Sequence, residues 1–177
     1  MPTKTDSPRV YAACLSSYNS GRLHGAWIDC NQDEEAIMAE ISAMLAKSPT
    51  PSAEEWAFHD YENFQGISIG ENESAETLAE IGQFLGEHGE LGGALVSHFG
   101  GVNYLEAAKE ALEQNYAGEY DSTLEWAEES LKDQGVLDGL TENLRNYFNF
   151  EAYARDCALG GGIYTIEISG KVHIFTW

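Results

Sequence analysis

Carboxylates spaced one helical turn apart are the groups in this sequence with the clearest capacity for chemistry. On a helical projection at 100° per residue, Glu76, Glu80 and Glu87 fall within about 40° of one another, opposite Leu78, Ile81 and Leu85. Glu106, Glu110 and Glu113 fall within about 60°, away from Leu105, Ala108 and Leu112. Glu125, Glu128 and Glu129 form a wider stripe around Leu124, Ala127 and Leu131. Charged residues occupy the wet face of any amphipathic helix, so the stripes alone say little. The missing counter-charge says more. Solvated helix faces usually mix Glu with Lys at i,i+4, worth a few tenths of a kcal/mol per pair. From Ser48 to Ala108 there is no Lys or Arg, against 11 acids. These helices accept repulsion where neutralisation was open to them.

Other chemistry finds less support. Asp29 to Glu40 places acids or Asn at several positions of a calcium loop, but Glu34 stands where the sharp turn needs Gly, and the segment reads as a helix start. Cys14, His24, Cys30 and His59 are too irregularly spaced for a zinc site, and read as core cysteines and ordinary histidines. There is no GxSxG, no phosphate-binding loop and no GxGxxG opening a helix. The glycines at 160–162 precede a strand and make a poor phosphate cradle. The sequence therefore calls for no catalytic residue, no cofactor and no metal ligand. A hydrolase built on Cys14 or Cys157 and an acidic metal-binding module are the alternatives from other classes.

Charge placement bounds the partners. Residues 33–142 hold 25 acids and three bases, while the two ends together are near neutral; the whole chain carries −21. A merely solubilising or salt-adapted surface would spread its acids along the whole length. A pI near 4.3 opposes binding to nucleic acid and to anionic membranes. Divalent cations, basic small molecules and basic protein surfaces remain. Three cysteines without scaffold spacing suit a reducing compartment. No signal-like apolar core opens the chain and no run approaches the roughly 18 apolar residues of a membrane span, so the expected location is the cytoplasm.

The elements that must hold these acids can be read in outline. Strands are expected at Arg9–Leu15, Leu23–Asp29 and Glu55–Asp60. A helix is expected over Asp33–Ala46, capped by Asn31 with Glu34. Ser74 should cap a helix carrying Leu78, Ile81 and Leu85, and the glycines at 86, 89, 92–93 and 100–101 should break the following stretch into short helices. Asn103 with Glu106, and Ser122 with Glu125, have capping spacing. Two further helices should precede a closing hairpin, Ile163–Ile168 and Lys171–Trp177, turning at Ser169-Gly170. Three regions separate by pattern: 1–72, an antiparallel sheet with one helix; 73–114, short helices; and 115–177, helices plus a hairpin.

Several runs also resemble the ArdA antirestriction proteins. They are Val10-Tyr11-Ala12-Ala13-Cys14-Leu15, Tyr18-Asn19-Ser20-Gly21 and Leu23-His24-Gly25-Ala26-Trp27-Ile28-Asp29 near the start. Collinear with them are Glu55–Glu62, His98-Phe99-Gly100-Gly101, Asn115–Tyr120, Tyr153-Ala154-Arg155-Asp156 and Val172-His173-Ile174-Phe175. The resemblance implies an elongated α+β protein of three small domains, with bounds at 1–72, 73–114 and 115–177, forming a homodimer through the C-terminal one and carried by mobile elements. It would imitate bent B-form DNA and occupy the DNA-binding groove of type I restriction–modification enzymes, at their specificity and modification core. Other DNA-binding proteins are the alternative targets within the same class.

Carried onto this sequence, the imitating acids are Glu71, Glu73, Glu76, Glu80, Glu87, Glu90, Glu106, Glu110, Glu113, Glu119, Asp121, Glu125, Glu128, Glu129 and Asp133. Matched charge for charge to a duplex with one negative charge per roughly 1.7 Å, the central excess of 22 would cover about 37 Å, or about 11 base pairs. One departure is Asn149, near which the family commonly has Asp, so the C-terminal edge here is less anionic.

Overall fold

The computed structural model describes residues 6–177; residues 1–5, part of the opening stretch without a signal-like core, lie outside them. Contacts divide the chain into two compact units, Met1–Ala108 and Lys109–Trp177. The described residues form an α+β protein with two three-stranded antiparallel sheets and seven helices.

In the first unit, β1 (Arg9–Cys14) lies between β2 (Gly25–Asp29) and β3 (Trp56–Glu62). The alternation of Val10, Ala12 and Cys14 buries one face of β1, and Val10 pairs with the equally buried Ile28. Between β1 and β2, where only a turn is expected, Leu15–Asn19 forms a short helix, α1. Helix α2 (Glu34–Ala46) buries Ile37, Ile41 and Met44, a spacing of about one turn that lays a single apolar stripe on the sheet. Its cap is Asp33, whose side chain accepts the Ala36 N–H at 2.8 Å, and not Asn31. Asn31 is committed elsewhere: its side chain lies against Gly86.

The largest difference from expectation is α3, Ala75–Phe99. Ser74 caps it by accepting the Thr77 N–H at 3.0 Å, and Leu78, Ile81 and Leu85 are buried. Helical backbone then continues through Gly86, Gly92 and Gly93, and departs only at Gly89, with φ 53° and ψ −133°. The glycines had two possible meanings, and close packing is the operative one. A Cβ at Gly82 would stand 2.0 Å from the Cys30 carbonyl oxygen, and one at Gly93 would stand 2.3 Å from Gln65 Cβ. Gly89 and the Gly100-Gly101 pair are the breaks: Gly89 interrupts the helix and Gly100 ends it as a left-handed cap, all three with a positive φ that suits a residue without Cβ. A 3-10 turn at Val102–Tyr104 leads directly into α4 (Leu105–Glu110), so Asn103 sits inside that turn and does not cap the helix.

The second unit opens on a π-helical turn, Ala111–Asn115, followed by β4 (Tyr116–Tyr120), a strand the local pattern does not announce. Strand β6 (Lys171–Thr176) lies between β4 and β5 (Ile163–Ile168), and the β5–β6 turn uses positive φ at Ser169 and Gly170, as expected of a two-residue hairpin. Helices α5 (Thr123–Asp133), α6 (Glu142–Arg145) and α7 (Phe150–Leu159) complete the unit. Trp126, Ala127, Ala154, Ile163 and Ile174 form its core, with Tyr120, Tyr153 and Val172 packed around them. Asn149 caps α7 through the Ala152 N–H at 2.9 Å, so it does the hydrogen-bonding work of an Asp without the charge.

Gly82→Ala should be among the costliest single-methyl additions in the first unit. Forcing a methyl into the Cys30 backbone is expected to cost about 1–3 kcal/mol, read as a lowered denaturation midpoint, whereas Gly66→Ala, at an open turn position, should lose only the cost of its positive φ.

Candidate anionic interface

Apolar anchoring decides where the acids point. Leu78, Ile81 and Leu85 are buried, and this turns Glu76, Glu80 and Glu87 to solvent; Glu90 is exposed just past the Gly89 break. Glu71 is exposed and Glu73 half-buried in the segment before α3. Around the break, Leu85–Glu90 and Asp29, Asn31 and Gln65 border a cleft of about 670 Å³, with Glu87 and Glu90 on its wall. Glu87 lies 3.9 Å from the His88 Nε2.

Glu106 and Glu110 are exposed on α4, whose Leu105 and Ala108 are buried. Glu113 is exposed too, but it belongs to the π-helical turn. Each residue there advances less around the axis than in an α-helix, so Glu113 lies further round from Glu110 than regular spacing predicts.

In the second unit the acids gather around one ring. Tyr120 closes β4, and Ser122 caps α5 by accepting the Glu125 N–H at 3.1 Å. The Glu125 carboxylate reaches back to accept the Asp121 N–H at 2.6 Å, which leaves it half-buried while Glu128, Glu129 and Asp133 are exposed. Burial pushes the Tyr120 hydroxyl above its ordinary range, and Glu129, Asp133 and Glu125 push it further. Asp121 pairs with Lys171 of β6, and the hydrogen bond and charge of that carboxylate hold the ammonium above its usual value. Glu119 sits 3.8 Å from the buried His173, whose Nδ1 meets the Tyr116 hydroxyl at 2.8 Å.

Tyr120, Lys171 and His173 are the participants that stripe-reading misses. All three depend on β4 lying beside β6, a pairing across more than fifty residues. Their only local signal is the short run Tyr116–Tyr120.

The remaining candidates take ordinary roles. The His24 ring meets the Met44 carbonyl at 2.7 Å, and Asp29 accepts the Ser7 hydroxyl at 2.6 Å and the Asn31 N–H at 2.8 Å. Burial, with Asp29 and Glu40 nearby, pushes the Cys30 thiol up to about 12. Burial also raises Cys14, but hydrogen bonds from Ser48, Ser17 and Ser16 outweigh it and bring the thiol below its ordinary value. Cys14 is nevertheless wholly buried. Among the described residues no helix is long and apolar enough to cross a membrane, and no three His, Cys, Asp or Glu side chains are placed to hold a metal ion.

Comparison with protein families matches residues 10–170 to the antirestriction protein ArdA. The chain belongs to the ArdA family. Antirestriction is therefore its function class: ArdA proteins act on restriction enzymes as inhibitors and are not known as enzymes. No curated protein gives a significant match.

The second unit of this ArdA protein has an alkaline signature, set first by burial of its tyrosines and then by the carboxylates beside Tyr116 and Tyr120. Tyr116, Tyr120, Tyr164 and Lys171 are all raised, so the folded second unit keeps protons that the unfolded chain releases near pH 10. Their stabilising contribution is complete below that pH and is lost as pH rises through the folded values. Denaturation midpoints across about pH 8–11 should fall, and Glu129→Gln with Asp133→Asn should bring the tyrosinate absorbance of Tyr120 to lower pH.

Proposed function

We propose that this chain inhibits type I restriction–modification enzymes by imitating bent B-form DNA, its carboxylates occupying the phosphate positions of the DNA-binding groove at the specificity and modification core. The observation that carries this reading is the 48–108 stretch. It holds 11 acids and no Lys or Arg, with Glu76, Glu80 and Glu87 exposed and their apolar neighbours buried. A groove lined with Lys and Arg gains from each carboxylate what it gains from a phosphate. A protein already folded in the bent shape also avoids the roughly 1–6 kcal/mol needed to bend duplex DNA by 40–90°. No base need be read.

In this proposal residues 73–114 form a central helical domain, preceded in sequence by 1–72 and followed by 115–177, and two copies joined through the C-terminal domain double the anionic length. The protein works in the cytoplasm of a cell receiving a mobile element, where host restriction meets incoming DNA.

The test is competition. Labelled duplex bound to a purified type I methyltransferase core should be displaced by the protein. Displacement should weaken at least about tenfold as salt rises from low to moderate concentration, because surface charge pairing is screened beyond about 8 Å at physiological ionic strength. Reversal to Lys at Glu106, Glu110 and Glu113 should impair displacement more, per charge changed, than reversal at Asp6 or Glu167. Salt-independent displacement, or equal loss from both sets, would remove the central carboxylates from the mechanism.

A further inference from the structure

One cleft of the first unit has no place among the acidic stripes. It is about 660 Å³ in volume and lies between α1, the edge strand β3 and the segment 69–72. Tyr18, His59 and Tyr61 line it, and all three rings are exposed, Tyr18 by 52% and Tyr61 by 39%. Its floor is apolar, from the buried Ala57 and Ile69. Its polar groups are Glu71 and the amides of Asn19 and Asn72.

Two backbone features build it. The β1–β3 ladder pairs Tyr11 with Asp60 and then Ala12 with Phe58, so His59 is the extra residue of a bulge and is released from the regular alternation. Its ring meets Tyr18 edge to face at 4.8 Å and 81°. One residue earlier, the Phe58 N–H donates to the Glu71 carbonyl at 2.8 Å. That bond ties the 69–72 segment to the edge strand and sets the Glu71 carboxylate, which is exposed, beside the rings.

We infer that this cleft is a socket for one arginine side chain of the bound protein. The inference rests on the proposed function for the identity of the partner, and on the chemistry of the cleft for the residue it takes. A guanidinium is planar and weakly hydrated, stacks on aromatic faces and carries five donors in a fixed fork. Here it meets exposed rings, one carboxylate and two amide oxygens. An ammonium has the charge but holds its water more tightly and cannot stack. A phosphate or carboxylate ligand would face Glu71 in a stretch without a Lys or Arg, and a purely apolar ligand would bury that carboxylate unpaired. A DNA-binding groove is rich in the side chain that fits. The socket would thus add a fixed register point to an otherwise diffuse electrostatic contact.

The test uses the full chain and small probes, with ring resonances of Tyr18, His59 and Tyr61 followed by NMR. N-acetyl-arginine amide should shift all three saturably, the lysine analogue should bind more weakly, and the neutral citrulline analogue should leave them unmoved. Tyr18→Leu and Glu71→Gln should each weaken arginine binding by about fivefold, and Tyr18→Phe should retain it. Shifts that never saturate, that spread evenly over the acidic helices, or that persist unchanged in Tyr18→Leu would overturn the socket. In the competition assay Tyr18→Leu should also displace DNA less well than Tyr18→Phe, and equal displacement would overturn its role in the complex. Failure of the wild-type chain to displace DNA, by contrast, would sink the mimicry and leave the probe titration to stand or fall alone.

Discussion

Mutual repulsion between carboxylates sets the terms for this fold. A segment with 11 acids and no Lys or Arg has the composition of a disordered tail unless apolar burial outweighs both repulsion and chain entropy. Here it does so locally, element by element. Each acidic helix has its own buried stripe: Leu78, Ile81 and Leu85 on α3, Leu105 and Ala108 on α4, Trp126, Ala127 and Leu131 on α5. The charges are consequently held by side chains a few residues away and need no salt bridges between helices. Charge that is fixed in this way keeps its position without a counter-ion to hold it.

The same constraint explains how counter-ions are used. Arg9 is paired with Glu62 at 2.6 Å at the end of the first sheet, Arg145 lies 3.7 Å from Asp138, and Arg155 pairs with its neighbour Asp156 at 3.1 Å. These pairs lie off the acidic stripes. Lys171 is an instructive contrast, because it reaches from β6 to Asp121 where Glu119 and Glu125 also act on it. One ammonium there lets three carboxylates crowd the end of β4 and the start of α5.

Much of the fold was legible because its signals are local. The alternation in Arg9–Cys14, the stripe of α2, the Ser74 and Ser122 caps and the Ser169-Gly170 turn each lie within a few residues of what they specify. The failures share a different property. Glycine at 86 and 93 is ambiguous in sequence, since a break and a close approach call for the same residue, and only Asn31 and Gln65 arriving from elsewhere decide between them. Asn31 lost its expected capping role for the same reason. Strand β4 owes its existence to β6, and with it went Lys171 and His173. The acids themselves were easy to find; what surrounds them was not, because tertiary pairing supplies it.

The lone departure inside α3 has a consequence for how such a surface can change over time. The axis of the half carrying Glu90 is set relative to the half carrying Glu76, Glu80 and Glu87 by the dihedral angles of Gly89, a position with no atom within 4 Å of a would-be Cβ. Both halves bury their own residues, Leu78 to Leu85 before it and Leu95 and Val96 after it. A single residue therefore sets the bearing of one group of charges against another, and the close seats of Gly92 on Phe84 and Gly93 on Gln65 hold that bearing. Any side chain in place of Gly89 would strain the backbone, so the relative aim of the two groups is kept only as long as glycine is kept there.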